Sequence, residues 1–131
     1  MTKKYEIKFK NWGDQTIVVF LGPSIAEITR NEDFFKKSNI LIEEYSTPAT
    51  TLLLEDKKAQ SSCIAVLLEA THEDIDEIVV HECVHAIAYL MDYVGVEFDP
   101  NNHEAYAYSI GYLYSEIKKK HKKFIKKYNK Q

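Results

Sequence analysis

The chain has 131 residues, of which 45% are hydrophobic and 28% are charged, and its formal net charge is −3. This composition is ordinary for a soluble globular protein, and the length suits one domain over residues 1–131 without a separate substrate domain. The first residues lack the apolar segment of a signal peptide, and the apolar run at residues 17–21 is too short to span a bilayer. We therefore expect a cytoplasmic protein with no membrane partner and with reduced cysteines.

The N-terminal third shows the pattern of a hairpin followed by a helix. Residues 5–10 alternate between apolar and polar side chains, which predicts a strand with one solvated face, and residues 16–21 predict a more buried strand. The turn at residues 11–14 allows the two strands to form a hairpin. Pro23 and Ser24 then favour the start of a helix that we expect over residues 25–37.

The middle of the chain predicts a second hairpin. Residues 40–45 either extend the preceding helix or form a short strand. Residues 50–55 and 63–69 are β-rich runs joined by the polar segment 56–62. With two helices following, the order of elements predicts an α+β fold in which helices pack on one side of a small antiparallel sheet.

A helix is expected where apolar residues recur at helical spacing between residues 75 and 94. Thr71 is a suitable N-cap, and Asp74 three residues later plays the role of the acidic member of a capping box. Gly95 is expected to end the helix as the residue just past its last turn.

This helix carries the sequence His81-Glu82-Cys83-Val84-His85. Histidines four residues apart lie on the same face of a helix, so both imidazoles can reach one metal ion. Glu82 is turned by about 100° from His81, which puts its carboxylate beside the ligands rather than among them. H-E-x-x-H on a helix is a signature of zinc proteases. The alternative is two ordinary histidines next to an exposed glutamate.

A catalytic zinc site needs a third protein ligand and keeps its fourth position open. Glu104 follows His85 by nineteen positions, and the turn at residues 95–102 allows a second helix to return antiparallel and aim Glu104 at the histidines. His103 and Cys63 are the other candidates, since imidazole and thiolate also bind zinc.

These residues resemble the gluzincin group of metallopeptidases, in which a ligand glutamate on the next helix follows the H-E-x-x-H motif. Residues 102–108, Asn-His-Glu-Ala-Tyr-Ala-Tyr, with Gly-Tyr-Leu at residues 111–113, also resemble short phage- and prophage-encoded proteins usually regarded as metallopeptidases. The resemblance covers about residues 63–115. The substrate-binding motif of the related aminopeptidases is not visible upstream, and the chain is far shorter than theirs.

The resemblance implies a zincin-like fold of the active region, with Zn²⁺ on His81, His85 and Glu104 and with Glu82 as general base in the hydrolysis of a peptide or amide bond. Tyr108 shares a helix face with Glu104 and is a candidate to stabilise the transition state, although most such tyrosines only pack. The resemblance also implies that strand 63–69 lies at the sheet edge and binds an extended peptide, unless it is a fully paired inner strand.

Eight of the seventeen basic residues are lysines in a tail at residues 118–131, where a helix is expected to continue from residue 115. Such a tail can bind nucleic acid, but a solvated helix end beside an acidic body explains it better. We expect a peptide or protein as the partner and a monomer or weak dimer. The alternative to an enzyme is a zinc-binding regulatory or interaction module without turnover.

Overall fold

The protein is described by a computed structural model that covers residues 1–32, 35, 47–56 and 61–131. Its strands are β1 (Lys3–Phe9), β2 (Gln15–Gly22), β3 (Ala49–Asp56) and β4 (Ser61–Glu69). Its helices are α1 (Ile25–Asn31), α2 (Asp76–Val94) and α3 (His103–Asn129), and a short 3₁₀ helix at Lys10–Trp12 joins β1 to β2. The α+β class is therefore as predicted.

The four strands form one sheet in the order β1-β2-β4-β3. The pairs β1/β2 and β3/β4 are antiparallel, which confirms both predicted hairpins. However, β2 and β4 run parallel, with Ile17 opposite Ile64, so the sheet is mixed and not antiparallel as predicted. The turns fix strand directions only within each hairpin, and which strands of the two hairpins meet is decided by packing.

Helices cover both faces of the sheet, so the prediction of helices on one side was wrong. On one face, Ile17 and Val19 of β2 join a core with α2 and α3. On the other face, Val18 and Phe20 pack with Ile25 of α1. The physical reason is that the inner strands are apolar on both sides, so each face must be shielded from water.

Helix α1 begins as expected, because the Ser24 hydroxyl accepts a hydrogen bond from the Glu27 amide at 3.1 Å. It ends at Asn31 rather than at residue 37, since Glu32 has an extended backbone. The expectation for residues 40–45 lies outside the described residues. Gly22 allows α1 to approach closely, because a Cβ there would lie 2.6 Å from Cγ1 of Ile28.

Helix α2 begins later than predicted. Thr71 is not its N-cap; the helix starts at Asp76, whose amide donates to the Asp74 carboxylate at 3.3 Å. Gly95, with φ of 81°, ends the helix in the left-handed conformation as predicted. A single glycine at this position satisfies the last carbonyls without a steric cost.

Helix α3 continues without a break through the lysine-rich tail, as expected from the sequence. Its buried face includes Leu113, Ile117 and Phe124 in the main core. Lys118 pairs with Asp76 and so joins the middle of α3 to the start of α2. Within the ranges that the structure describes, no helix is both long and apolar enough to cross a membrane.

Candidate metal centre

The two histidines of the motif converge on the outer face of α2. Cys83 lies midway between them in the sequence and is fully buried. Each histidine is two residues away from Cys83, which is about 200° around the helix axis. His81 and His85 are therefore exposed to solvent, and their Nε2 atoms lie 3.2 Å apart. Their rings meet edge to face with centroids 4.9 Å apart.

This nitrogen separation fits a pair of zinc ligands. Two nitrogens that each lie about 2.0–2.1 Å from one tetrahedral zinc ion are roughly 3.3 Å apart. Without a metal, the same separation allows the Nε2–H of one imidazole to donate to the other nitrogen. The histidine pair therefore supplies two donors that need little rearrangement to hold one ion.

Glu82 is buried between α2 and the edge strand β3, with 5% of its surface exposed. The Thr51 hydroxyl on β3 donates to its Oε1 at 3.1 Å and lies 3.3 Å from its backbone oxygen. A buried carboxylate is costly unless it is hydrogen-bonded, so Thr51 both stabilises and orients this group. The glutamate that the alternative expected to be exposed is therefore buried.

Glu104 lies in the first turn of α3 and is exposed. Its neighbours across the cavity that it lines belong to the end of β1 and the turn after it. No third histidine, cysteine, aspartate or glutamate joins the histidine pair among the residues described.

The other candidate ligands do not lie with the pair either. His103 is the exposed first residue of α3. Cys63 packs against the core on the α1 side of the sheet, opposite to α2, and burial raises the pKa of its thiol. Burial, with a smaller effect of the Glu82 charge, also raises the pKa of Cys83 to about 12. Both cysteines are free thiols, and their raised pKa values disfavour the thiolate that zinc requires.

Tyr108 is 77% exposed on α3. With Glu104, it lines a cavity between α3 and the turn that joins β1 to β2, and neither histidine of the motif lines this cavity. The structure thus brings Tyr108 and Glu104 together, as their spacing predicted, but not at the histidine pair.

The expectation that strand 63–69 lies at the sheet edge was wrong, and the alternative of a fully paired inner strand is confirmed. Strand β4 is paired on both sides, with β2 and with β3, so it has no free edge. The edge next to α2 belongs to β3, which carries Thr51. Sequence reasoning missed Thr51 because a threonine in a β-rich run has no local feature that reveals contact with a helix 31 residues later.

No family model, curated protein or solved structure matches this chain. The resemblance to gluzincins therefore depends on the motif residues themselves.

Proposed function

We propose that the chain is a zinc-dependent hydrolase of peptide or amide bonds, with His81, His85 and Glu104 as the residues that hold the metal. The observation that carries the proposal is the 3.2 Å separation of the two Nε2 atoms on one exposed helix face. Glu82, which follows His81 in the same helix, supplies a buried carboxylate. Glu104 is proposed from its spacing in the sequence, because the histidine pair alone would supply only two protein donors.

Zinc, when bound, polarises a carbonyl group and lowers the pKa of a coordinated water to around 7. The chain itself supplies the base. Glu82 accepts a proton from the attacking water and then delivers it to the leaving amine, a role typically worth about 10²–10⁴-fold in rate. Because Thr51 holds Oε1 of Glu82, the second carboxylate oxygen is the one that exchanges the proton.

The sheet edge supports a peptide as the substrate class. Among the described strands, β3 pairs only with β4, so its other side presents backbone groups with which an extended peptide can pair. Thr51 belongs to this strand and contacts Glu82. A peptide added to β3 would therefore run next to the proposed base.

The direct test is the metal content of protein purified without added zinc. We expect about one zinc per chain in the parent and a loss of zinc in His81→Ala and His85→Ala, because each removes one of the converging donors. His72→Ala is the matched control, since His72 is exposed and precedes α2. Unchanged zinc content in both motif variants would overturn the proposal. Zinc binding without hydrolysis of any peptide would instead favour the non-catalytic module.

A further inference from the structure

A cavity of about 560 Å³ lies between α3 and the turn after β1. Helix α2 packs over β3 and β4, whereas α3 packs over β1 and β2, so the cavity lies on the β1 side of the sheet and Glu82 on the β3 side. Its volume is within the range of small-molecule sites. The proposed hydrolase does not use this cavity, apart from Glu104 in its wall.

Three aromatic side chains in its wall are held in place by the fold. The Trp12 indole N–H donates to the buried Ser109 hydroxyl at 3.0 Å. The Tyr112 hydroxyl donates to the backbone oxygen of Lys8 at 2.9 Å, and its ring meets Phe9 edge to face at a centroid distance of 5.1 Å. These contacts join the β1–β2 turn to α3, so the apolar wall is formed before any ligand arrives.

Tyr108 differs from these three. It lines the same cavity, yet it is 77% exposed and makes no hydrogen bond or ring contact with any residue in the described ranges. An exposed aromatic ring with no partner, next to a fixed apolar wall, provides a face on which a planar group can stack.

The polar groups of the wall narrow the class of ligand. Lys8 and Lys10 supply positive charges, Glu104 supplies a negative charge, and Asn11 offers both a donor and an acceptor. The edge of a nucleobase carries donors and acceptors that match the Asn11 amide, whereas a phenyl ring carries neither. Aromatic faces combined with lysine are the usual means of binding a base and its phosphate.

We propose that this cavity binds a nucleotide unit, with the base stacked between Tyr108 and Trp12 and the phosphate near Lys10. The unit is either a free nucleotide or one residue of a single strand, because both present the same base and phosphate. The proposal is independent of the zinc hydrolase, since none of these three residues belongs to the proposed metal centre or base.

The chain contains one tryptophan and nine tyrosines, so fluorescence excited selectively at Trp12 reports on this cavity. We expect saturable quenching of Trp12 by adenosine monophosphate, weaker binding of adenosine and none of ribose 5-phosphate. Titration with a six-residue oligodeoxyadenylate distinguishes the two sources: tighter binding than the monophosphate indicates a single strand. The absence of saturable quenching by both the monophosphate and the oligonucleotide would overturn the proposal.

Tyr108→Ala tests the stacking. Loss of one base–aromatic stack weakens binding by about 5- to 150-fold, whereas Tyr93→Ala, which removes another exposed tyrosine on α2, should leave binding unchanged. Lys10→Ala should weaken binding of the monophosphate but not of adenosine. Circular dichroism checks that each variant is folded. Equal affinity in the Tyr108 and Tyr93 variants would contradict the proposal, as would oligonucleotide binding that depends only on the lysines of residues 118–131.

Discussion

The Thr51 hydroxyl on the edge strand β3 lies 3.1 Å from Oε1 of Glu82 on helix α2. This bond connects the sheet to the residue that we propose as the base, and it crosses 31 positions of sequence. Because Glu82 is buried, the bond has consequences both for the stability of the fold and for the position of the carboxylate.

Thr51→Val should lower the free energy of unfolding, since it leaves a buried carboxylate oxygen without its partner at a cost of about 1–3 kcal/mol. Thr50→Val is the matched control on the same strand, because successive side chains point to opposite faces of a sheet. Urea denaturation of both variants gives the comparison. If the two variants unfold at the same urea concentration, the bond from Thr51 to Glu82 does not stabilise the fold.

Glu82→Gln should retain zinc and lose turnover by about 10²–10⁴-fold, because the amide cannot accept the proton from water. The measurement is hydrolysis of a peptide that the parent cleaves, with zinc content determined on the same samples. Glu77→Gln, which changes an exposed glutamate in the first turn of α2, is the control. A Glu82→Gln variant that cleaves as fast as the parent would exclude Glu82 as the base.

Glu104→Ala should weaken zinc binding by at least about tenfold if this carboxylate is the third ligand, since even residues that only orient ligands cost that much. His103→Ala removes the neighbouring exposed side chain and should have no effect. Competition with a chromogenic zinc chelator measures the zinc affinity of both variants. Equal affinities would remove Glu104 from the metal centre and leave it to the wall of the cavity described above.

His121 provides a prediction about pH. It is buried on α3, and its Nε2–H can donate to the backbone oxygens of Ala70 at 3.1 Å and His72 at 2.9 Å. Burial lowers the pKa of His121 below its ordinary value of 6.5, outweighing the effect of these two bonds. As the pH falls below about 6.5, the unfolded chain therefore takes up a proton before the folded chain does, and stability is lost.

The loss of stability between pH 7 and pH 5.5 should thus be smaller in His121→Gln than in the parent, because glutamine can still donate a hydrogen bond but does not titrate. His103→Gln, on the exposed start of α3, should behave as the parent does. Urea denaturation of the three proteins at the two pH values gives the free energies of unfolding. If the stability of His121→Gln depends on pH as that of the parent does, the loss of stability at low pH does not come from His121.

Much of the local structure could be predicted from the sequence because its causes are local. Alternation predicted β1, β-rich runs predicted the other three described strands, and the start of α1 after Ser24 and the Gly95 stop appear as expected. The spacing of His81 and His85 was enough to put both imidazoles on one helix face, where their nitrogens lie close together. The start of α2 was missed because an Asp74 carboxylate bonds to the Asp76 amide in place of the expected Thr71 cap.

Tertiary structure alone decided how the separate elements meet. The parallel pairing of β2 with β4 and the second layer formed by α1 follow from covering a sheet that is apolar on both faces. Glu82 is buried against Thr51, and Glu104 lines the cavity beside the β1–β2 turn. Both placements depend on which helix lies over which strand. The sequence by itself determined the chemical groups and their spacing on one helix, because these depend on neighbours within a few residues. Contacts between residues far apart in the chain depend on packing, which no local pattern encodes.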